Sequence, residues 1–391
     1  MTMKQVVRSM FIFVLVAVFS IVLSVSAQQN DSSDRTSESI PTPVPSISEE
    51  ATADDLQVVE KRATPTERRD SISLWTSETI DNAPAIAFPE YPDTGSEALI
   101  ETIIGEFGST ESVQPALTAD SDAAIQFPEG WAESNLDESA LAVTELQAPT
   151  GTSATYTGYA VNSFTAMHKA FPFRAMGRLT FRTSSTSTSS CTATVISPHV
   201  IVTAAHCVYD TGSNRFYSNF AFTPAWRNGS GPYGTFYYTN ARVLSGWINA
   251  SSAVRRYDVA VIKLANNSYG RSVSYYTGSL GRSWNYGYTQ NIHAFGYPSN
   301  LGSGKYTYAC TAETFSGGTD VLGMGCNMTY GSSGGPWLRV YAPFSGSSSS
   351  NSITGVVSGG TPGTNTFYGP RFSSNNIVPL CNLSAGWSCS S

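Results

Sequence analysis

At 391 residues the chain exceeds one typical domain, yet an all-β fold can occupy well over two hundred residues as one unit, so one domain plus extensions is expected. The net charge of −7 conceals two halves: residues 28–157 hold 25 Asp and Glu against 5 Lys and Arg, and residues 158–391 hold 4 against 15, giving −20 and +11. Basic residues in the second half are scattered, with Arg255-Arg256 the one adjacent pair, which argues against a nucleic-acid partner.

The chain opens like a secretory signal. Lys4 and Arg8 supply a positive region, residues 10–25 are apolar, and Val25-Ser26-Ala27 offers a small-residue cleavage site. The run is short of the roughly 20 residues a spanning helix needs, so a signal peptide at 1–27 is preferred to a signal anchor. The expected product is secreted and extracellular, with no membrane contact after signal removal.

Residues 28–70 are rich in Ser, Thr, Pro, Asp and Glu and are expected to be disordered. From 71 to about 157 Trp75, Phe88, Phe127 and Trp131 appear, and Leu99, Ile100, Ile103, Ile104 and Phe107 follow helical spacing after the cap Ser96. Two readings stand. One is a solvated acidic linker; the other is a removable prosegment at 28–160 that docks on the basic domain through charge and these aromatics and inhibits it. Lys61-Arg62 and Arg68-Arg69 are candidate processing sites.

Beyond residue 158 the texture is all-β. Short runs such as ATVI at 193–196, HVIV at 199–202, VAVIKL at 259–264 and ITGVV at 353–357 alternate with Gly, Ser, Asn and Pro clusters. The domain, 161–391, should be a sandwich or a pair of barrels, with the first strand of the barrel led in by residues 162–181. All six cysteines lie here, without a C-x-x-C pair, so zinc is not expected. Pairing neighbours gives Cys191–Cys207, Cys310–Cys326 and Cys381–Cys389, although six cysteines allow 15 connectivities. Sequons at Asn30, Asn228, Asn249, Asn266, Asn327 and Asn382 are compatible with a glycoprotein.

The stretch TYGSSGGPW at 329–337 places two serines between glycines, which permit a tight turn and leave backbone N–H groups free for an oxyanion. A serine hydroxyl needs a base, usually an imidazole oriented by a carboxylate. The chain has four histidines, and His206 follows a strand of small residues and precedes Cys207. Of the four acidic residues in the domain, Asp210, Asp258, Glu313 and Asp320, only Asp258 immediately precedes a buried-looking strand.

These residues resemble the secreted trypsin-like, chymotrypsin-fold serine proteases. CTATVISPHVIVTAAHC at 191–207 resembles the family's first disulfide loop ending in the catalytic histidine, YDVAVIKL at 257–264 its aspartate strand, and GSSGGP at 331–336 its nucleophile loop. The order His, Asp, Ser is the family's own. The resemblance implies two antiparallel β-barrels and a serine endopeptidase made as a zymogen, with catalytic His206, Asp258 and Ser333, an oxyanion hole of Gly331 and Ser333, and the Cys191–Cys207 bridge. Ser332 stands where the animal digestive enzymes have an aspartate, so the likeness is to the bacterial-type branch with the glutamyl endopeptidases, as FGYP at 295–298 and YGPRF at 368–372 also suggest.

By the same resemblance, 327–330, 358–361 and 369–371 line the specificity pocket. Asn327 at its base disfavours strict cleavage after Lys or Arg, and Val357 before Ser358-Gly359-Gly360 disfavours strict glutamate specificity. Arg371 is a candidate to draw an acidic side chain, and Ser358, Gly359 and Gly360 form an edge for the substrate backbone. Expected partners are protein or peptide substrates and the chain's own prosegment, acting on a monomer with no cofactor and no metal. The alternative is a catalytically inactive protease-fold protein that binds polyanions or serves in adhesion.

Overall fold

The computed structural model describes residues 51–89, 111–113, 155–161, 167–249, 255–343, 350–361, 364–382 and 387–389. The signal peptide at 1–27, Asn30, the helix at 99–107, Phe127 and Trp131 lie outside the described residues.

Strands dominate. They are β1 (Val58–Arg62), β2 (Glu111–Val113), β3 (Thr157–Ala160), β4 (Met176–Arg182), β5 (Thr188–Ser197), β6 (Val200–Thr203), β7 (Tyr209–Asp210), β8 (Arg215–Phe216), β9 (Ser218–Pro224) and β10 (Phe236–Leu244). There follow β11 (Ala260–Leu264), β12 (Gly281–Trp284), β13 (Asn291–Gly296), β14 (Tyr308–Glu313), β15 (Phe315–Ser316) and β16 (Val321–Gly325). The last are β17 (Pro336–Arg339), β18 (Ser352–Val356), β19 (Gly359–Gly360) and β20 (Thr366–Pro370).

The first half is a closed antiparallel barrel of six strands in the order β10-β11-β6-β5-β4-β9, with β9 returning to β10. Its strands are rich in β-branched residues, as in VIVT of β6 and AVIKL of β11, which suit a pleated surface packed on both sides. Leu179, Val195, Ile201, Phe222 and Ile262 fill the interior. The second half combines the sheet β2-β12-β18-β17-β13-β14-β3 with the sheet β15-β16-β20-β19. The two enclose Ile292, Ala294, Leu322, Met324, Trp337 and Val357, and the Cys310–Cys326 disulfide ties β14 to the end of β16. The neighbour pairings Cys191–Cys207 and Cys381–Cys389 are also formed.

Residues 51–70, expected to be disordered, are folded. Along β10, β9 covers only the start, at Phe236 and Tyr237, and β1 adds beyond that point from Asn240 to Leu244. Strand addition satisfies backbone groups and needs little apolar content, so an acidic composition does not forbid it. Helix α1 (Pro65–Leu74) follows, with Thr64 accepting from the Glu67 N–H and Pro65 opening the first turn. Helix α2 (Ser77–Asn82) is closed at its start by a capping box of Thr76 and Thr79. Trp75, Ile80 and Ala83 pack on Ala221, Trp226 and Tyr297. Of the candidate processing pairs, Lys61-Arg62 lies within β1 and Arg68-Arg69 within α1, where hydrogen-bonded backbone is withheld from an endopeptidase.

Charge anchors this segment. Glu60 accepts from Arg242 Nε at 2.8 Å, Asn240 at 2.7 Å and the Trp387 indole at 2.8 Å. Arg242 is fully buried, its guanidinium 3.6 Å from the centroid of the Trp387 ring, and it also donates to the carbonyls of Leu380 and Trp387. The Cys381–Cys389 loop therefore carries the tryptophan against which this arginine rests. Glu67 accepts from the Tyr238 hydroxyl and the Asn219 N–H and pairs with Lys61 at 3.1 Å, and Asp81 pairs with Lys305 at 2.7 Å.

Candidate active site

Adjacent strand ends bring a histidine and an aspartate together. His206 lies on a single 3-10 turn, Ala205–Cys207, directly after β6, and the Cys207–Cys191 disulfide pins that turn to β5. Asp258 follows a second short turn, Arg255–Tyr257, and precedes β11, which pairs with β6 from Ala260 opposite Thr203. Asp258 Oδ2 lies 2.7 Å from His206 Nδ1, and Oδ1 accepts the His206 backbone N–H at 2.8 Å. Asp258 is wholly buried, so these hydrogen bonds replace the water its charge would otherwise need.

The second half supplies the serine. Gly331 and Gly334 have φ of +89° and +78°, where glycine alone is comfortable. A Cβ on Gly334 would also lie 2.0 Å from Thr203 Oγ1, so the loop presses directly on the end of β6, beside the histidine turn. Thr192 holds the loop from the first barrel: its N–H donates to the Ser333 carbonyl and its hydroxyl to the Gly331 carbonyl, both at 2.8 Å. Ser332 is fully buried and its hydroxyl donates to the Thr329 carbonyl at 2.6 Å, a bond inside the loop.

The backbone amides of the loop divide in two. Those of Ser332 and Gly334 donate to the carbonyls of Thr329 and Val357, whereas those of Gly331 and Ser333 have no acceptor among the described residues. Free N–H groups flanking a serine are what a developing oxyanion requires. Ser333 Oγ and His206 Nε2 are both buried, and each is without a hydrogen-bond partner among the described residues. No hydrogen bond therefore joins the serine to the histidine among the described residues.

Three residues read as specificity elements do something different. Ser358 donates its hydroxyl to Asp258 Oδ2 at 2.5 Å, tying the aspartate to the second half. Sequence reasoning gave it only to the substrate edge; nothing in the local pattern reveals a partner a hundred positions away. Arg371 does not present its charge to the pocket: it pairs with Asp320 at 2.5 Å, donates to the Tyr286 carbonyl and lies over the Tyr288 ring. Its expected role with acidic side chains is corrected by that ion pair, since Asp320 already neutralises it. Asn327 turns its Oδ1 to within 3.8 Å of the Cys310 sulfur, against β3. Gly359 and Gly360 pair with Tyr368 and Phe367 of β20, and among the described residues β19 is the last strand of its sheet, the kind of edge that takes an extended peptide. Among the described residues the one grouping of metal-ligand type is Cys191, His206 and Cys207, and its cysteines are joined to each other.

A closed β-barrel and a second β-half meeting at a glycine-flanked serine define a chymotrypsin-fold serine protease. Comparison with protein families agrees: residues 160–377 match the family described as Trypsin, and the chain belongs to it. It is 33% identical over 135 residues to a glutamyl endopeptidase of Bacillus licheniformis, covering 34% of this chain and 39% of that protein. It is 35% identical over 108 residues to an extracellular metalloprotease of Bacillus subtilis, covering 27% of this chain and 33% of that one. The matched stretch is thus well under half the length of either relative. Among solved structures, the protease Anisep of Arthrobacter nicotinovorans is 27% identical, with a TM-score of 0.45 over 51% of this chain and 91% of that one.

Proposed function

We propose that the chain is a secreted serine endopeptidase made as a zymogen, with a signal peptide at 1–27, a prosegment at 28–160 that inhibits it, and a protease domain at 161–391. His206 Nε2 takes the proton of Ser333 as Oγ attacks the scissile carbonyl, and the N–H groups of Gly331 and Ser333 hold the oxyanion. The imidazolium then protonates the leaving amine, an acyl-enzyme remains, and water repeats the sequence in reverse. Asp258 fixes the imidazole with its proton on Nδ1 and stabilises the charged ring, and Ser358 holds Asp258 in place. The free edge of Gly359 and Gly360 takes the substrate backbone.

The observation that carries this reading is the buried His206–Asp258 pair at 2.7 Å beside a serine loop with two unused N–H groups. It is tested by labelling with a serine-directed fluorophosphonate and by peptide hydrolysis. Ser333→Ala should abolish labelling and lower hydrolysis by roughly 10⁴-fold or more, while Ser332→Ala should retain both. Undiminished hydrolysis by Ser333→Ala overturns the assignment.

A further inference from the structure

The segment after α2 crosses the face of the serine loop. The Ser190 N–H donates to the Pro84 carbonyl at 2.7 Å, and the Ile86 N–H donates to the Ser190 carbonyl at 3.1 Å, a short strand-like pairing at the start of β5. Arg178, which burial pulls down to about 10 and which stays protonated at neutral pH, donates to the Ala83 carbonyl at 2.5 Å. One residue past Pro84, the Ala85 methyl lies 3.1 Å from where a Cβ on Gly331 would be. Phe88 then packs edge-on against Tyr330 at 5.4 Å and Phe367 at 5.6 Å between centroids. Tyr330 is the residue before Gly331, and Phe367 is the strand partner of Gly360. Phe88 therefore sits between the serine loop and the open substrate edge.

Its surroundings are apolar. Phe88 rests on the core that contains Met328, Val357 and Phe367. Arg371 is neutralised by Asp320, Asn327 faces Cys310, and Arg255 lies over Tyr368, which projects to the opposite face of β20 from Phe367. Within this lining Arg371 is already paired with a carboxylate, and Arg255 is turned to the other face of β20.

We propose that residues 83–88 occupy the substrate cleft, with Phe88 in the specificity pocket, and that this pocket selects a large aromatic or aliphatic side chain before the scissile bond instead of an acidic one. This rests on Ser333 as the nucleophile. An occupant built into the chain faces a high effective concentration, so the cleft opens only when the segment lets go.

The test uses the full-length chain, its Phe88→Ala variant and Ala85→Lys, whose longer side chain would press on Gly331. Two readouts are taken: the rate of fluorophosphonate labelling at Ser333, and the residue preceding each cut in a mixed peptide library. Both variants should label at least about tenfold faster than the parent, since the open fraction sets the observed rate. Their cuts should follow Phe, Tyr, Leu or Met. Unchanged labelling in variants that melt like the parent, or cuts that follow Glu or Asp, would overturn the proposal while leaving the nucleophile intact. If Phe88→Ala fails to fold, Ala85→Lys decides alone. Absence of labelling in every form, even after limited proteolysis severs the segment, removes the nucleophile reading and this proposal with it.

Discussion

The N-terminal segment touches the protease fold in two contrasting places. From residue 58 to 81 it is held by a five-residue strand register, helix caps, the buried Trp75 and three anchoring carboxylates, Glu60, Glu67 and Asp81. From 83 to 88 it is held by backbone and hydroxyl bonds to the single residue Ser190, the Arg178 bond, the small side chain of Ala83, and the half-buried Ile86 and Phe88. The first contact is an anchor and the second a plug. Far more interactions must be broken to strip the anchor than to lift the plug, so the same segment is able to stay attached while its end leaves the cleft.

The largest blow to this contrast is Arg242→Ala. It leaves Glu60 without its buried partner and Trp387 without the guanidinium it stacks on, and should destabilise the chain by about 3–5 kcal/mol, read as a lower urea midpoint. Acid should act next, through the carboxylates of the anchor. Burial by itself would raise the Glu60 and Glu67 carboxyls, but hydrogen bonds from Arg242, Arg62, Asn240 and Trp387 on one, and from Tyr238, Asn219 and Lys61 on the other, outweigh it and hold both below their usual 4.5. Groups so lowered contribute stability that is fully present above 4.5 and is lost as pH falls through their folded values. A melting series taken downward in pH should show its loss below 4.5, and Glu60→Gln should flatten that dependence. A curve as steep for Glu60→Gln as for the parent would contradict the assignment. The smallest effect belongs to Asp81→Asn. Its partner Lys305 is 37% exposed, so the pair should be worth at most about 1 kcal/mol and should fade further with salt.

The strands around the site were legible because their signal is local. HVIV and VAVIKL became β6 and β11, and the order of the three motifs fixed which halves must meet. What escaped depended on partners remote in sequence. Ser358 reaches Asp258 across the two halves, and Arg371 is claimed by Asp320. β1 is joined mainly through its backbone, which carries no compositional mark, so an acidic stretch with few large apolar groups read as unstructured. Phe88 was visible as an aromatic in that stretch, but its seat against Tyr330 and Phe367 was not.

The bond between Glu60 and Trp387 spans 327 positions of sequence. A ribosome must therefore pass residue 387 before this bond can close, whatever barrel strands have formed earlier. Closure of that bond is a late, high-contact-order event, and a nascent chain stalled short of Trp387 would hold its N-terminal segment by the β1 ladder, α1 and the Glu60–Arg242 pair, without the indole that completes the Glu60 site.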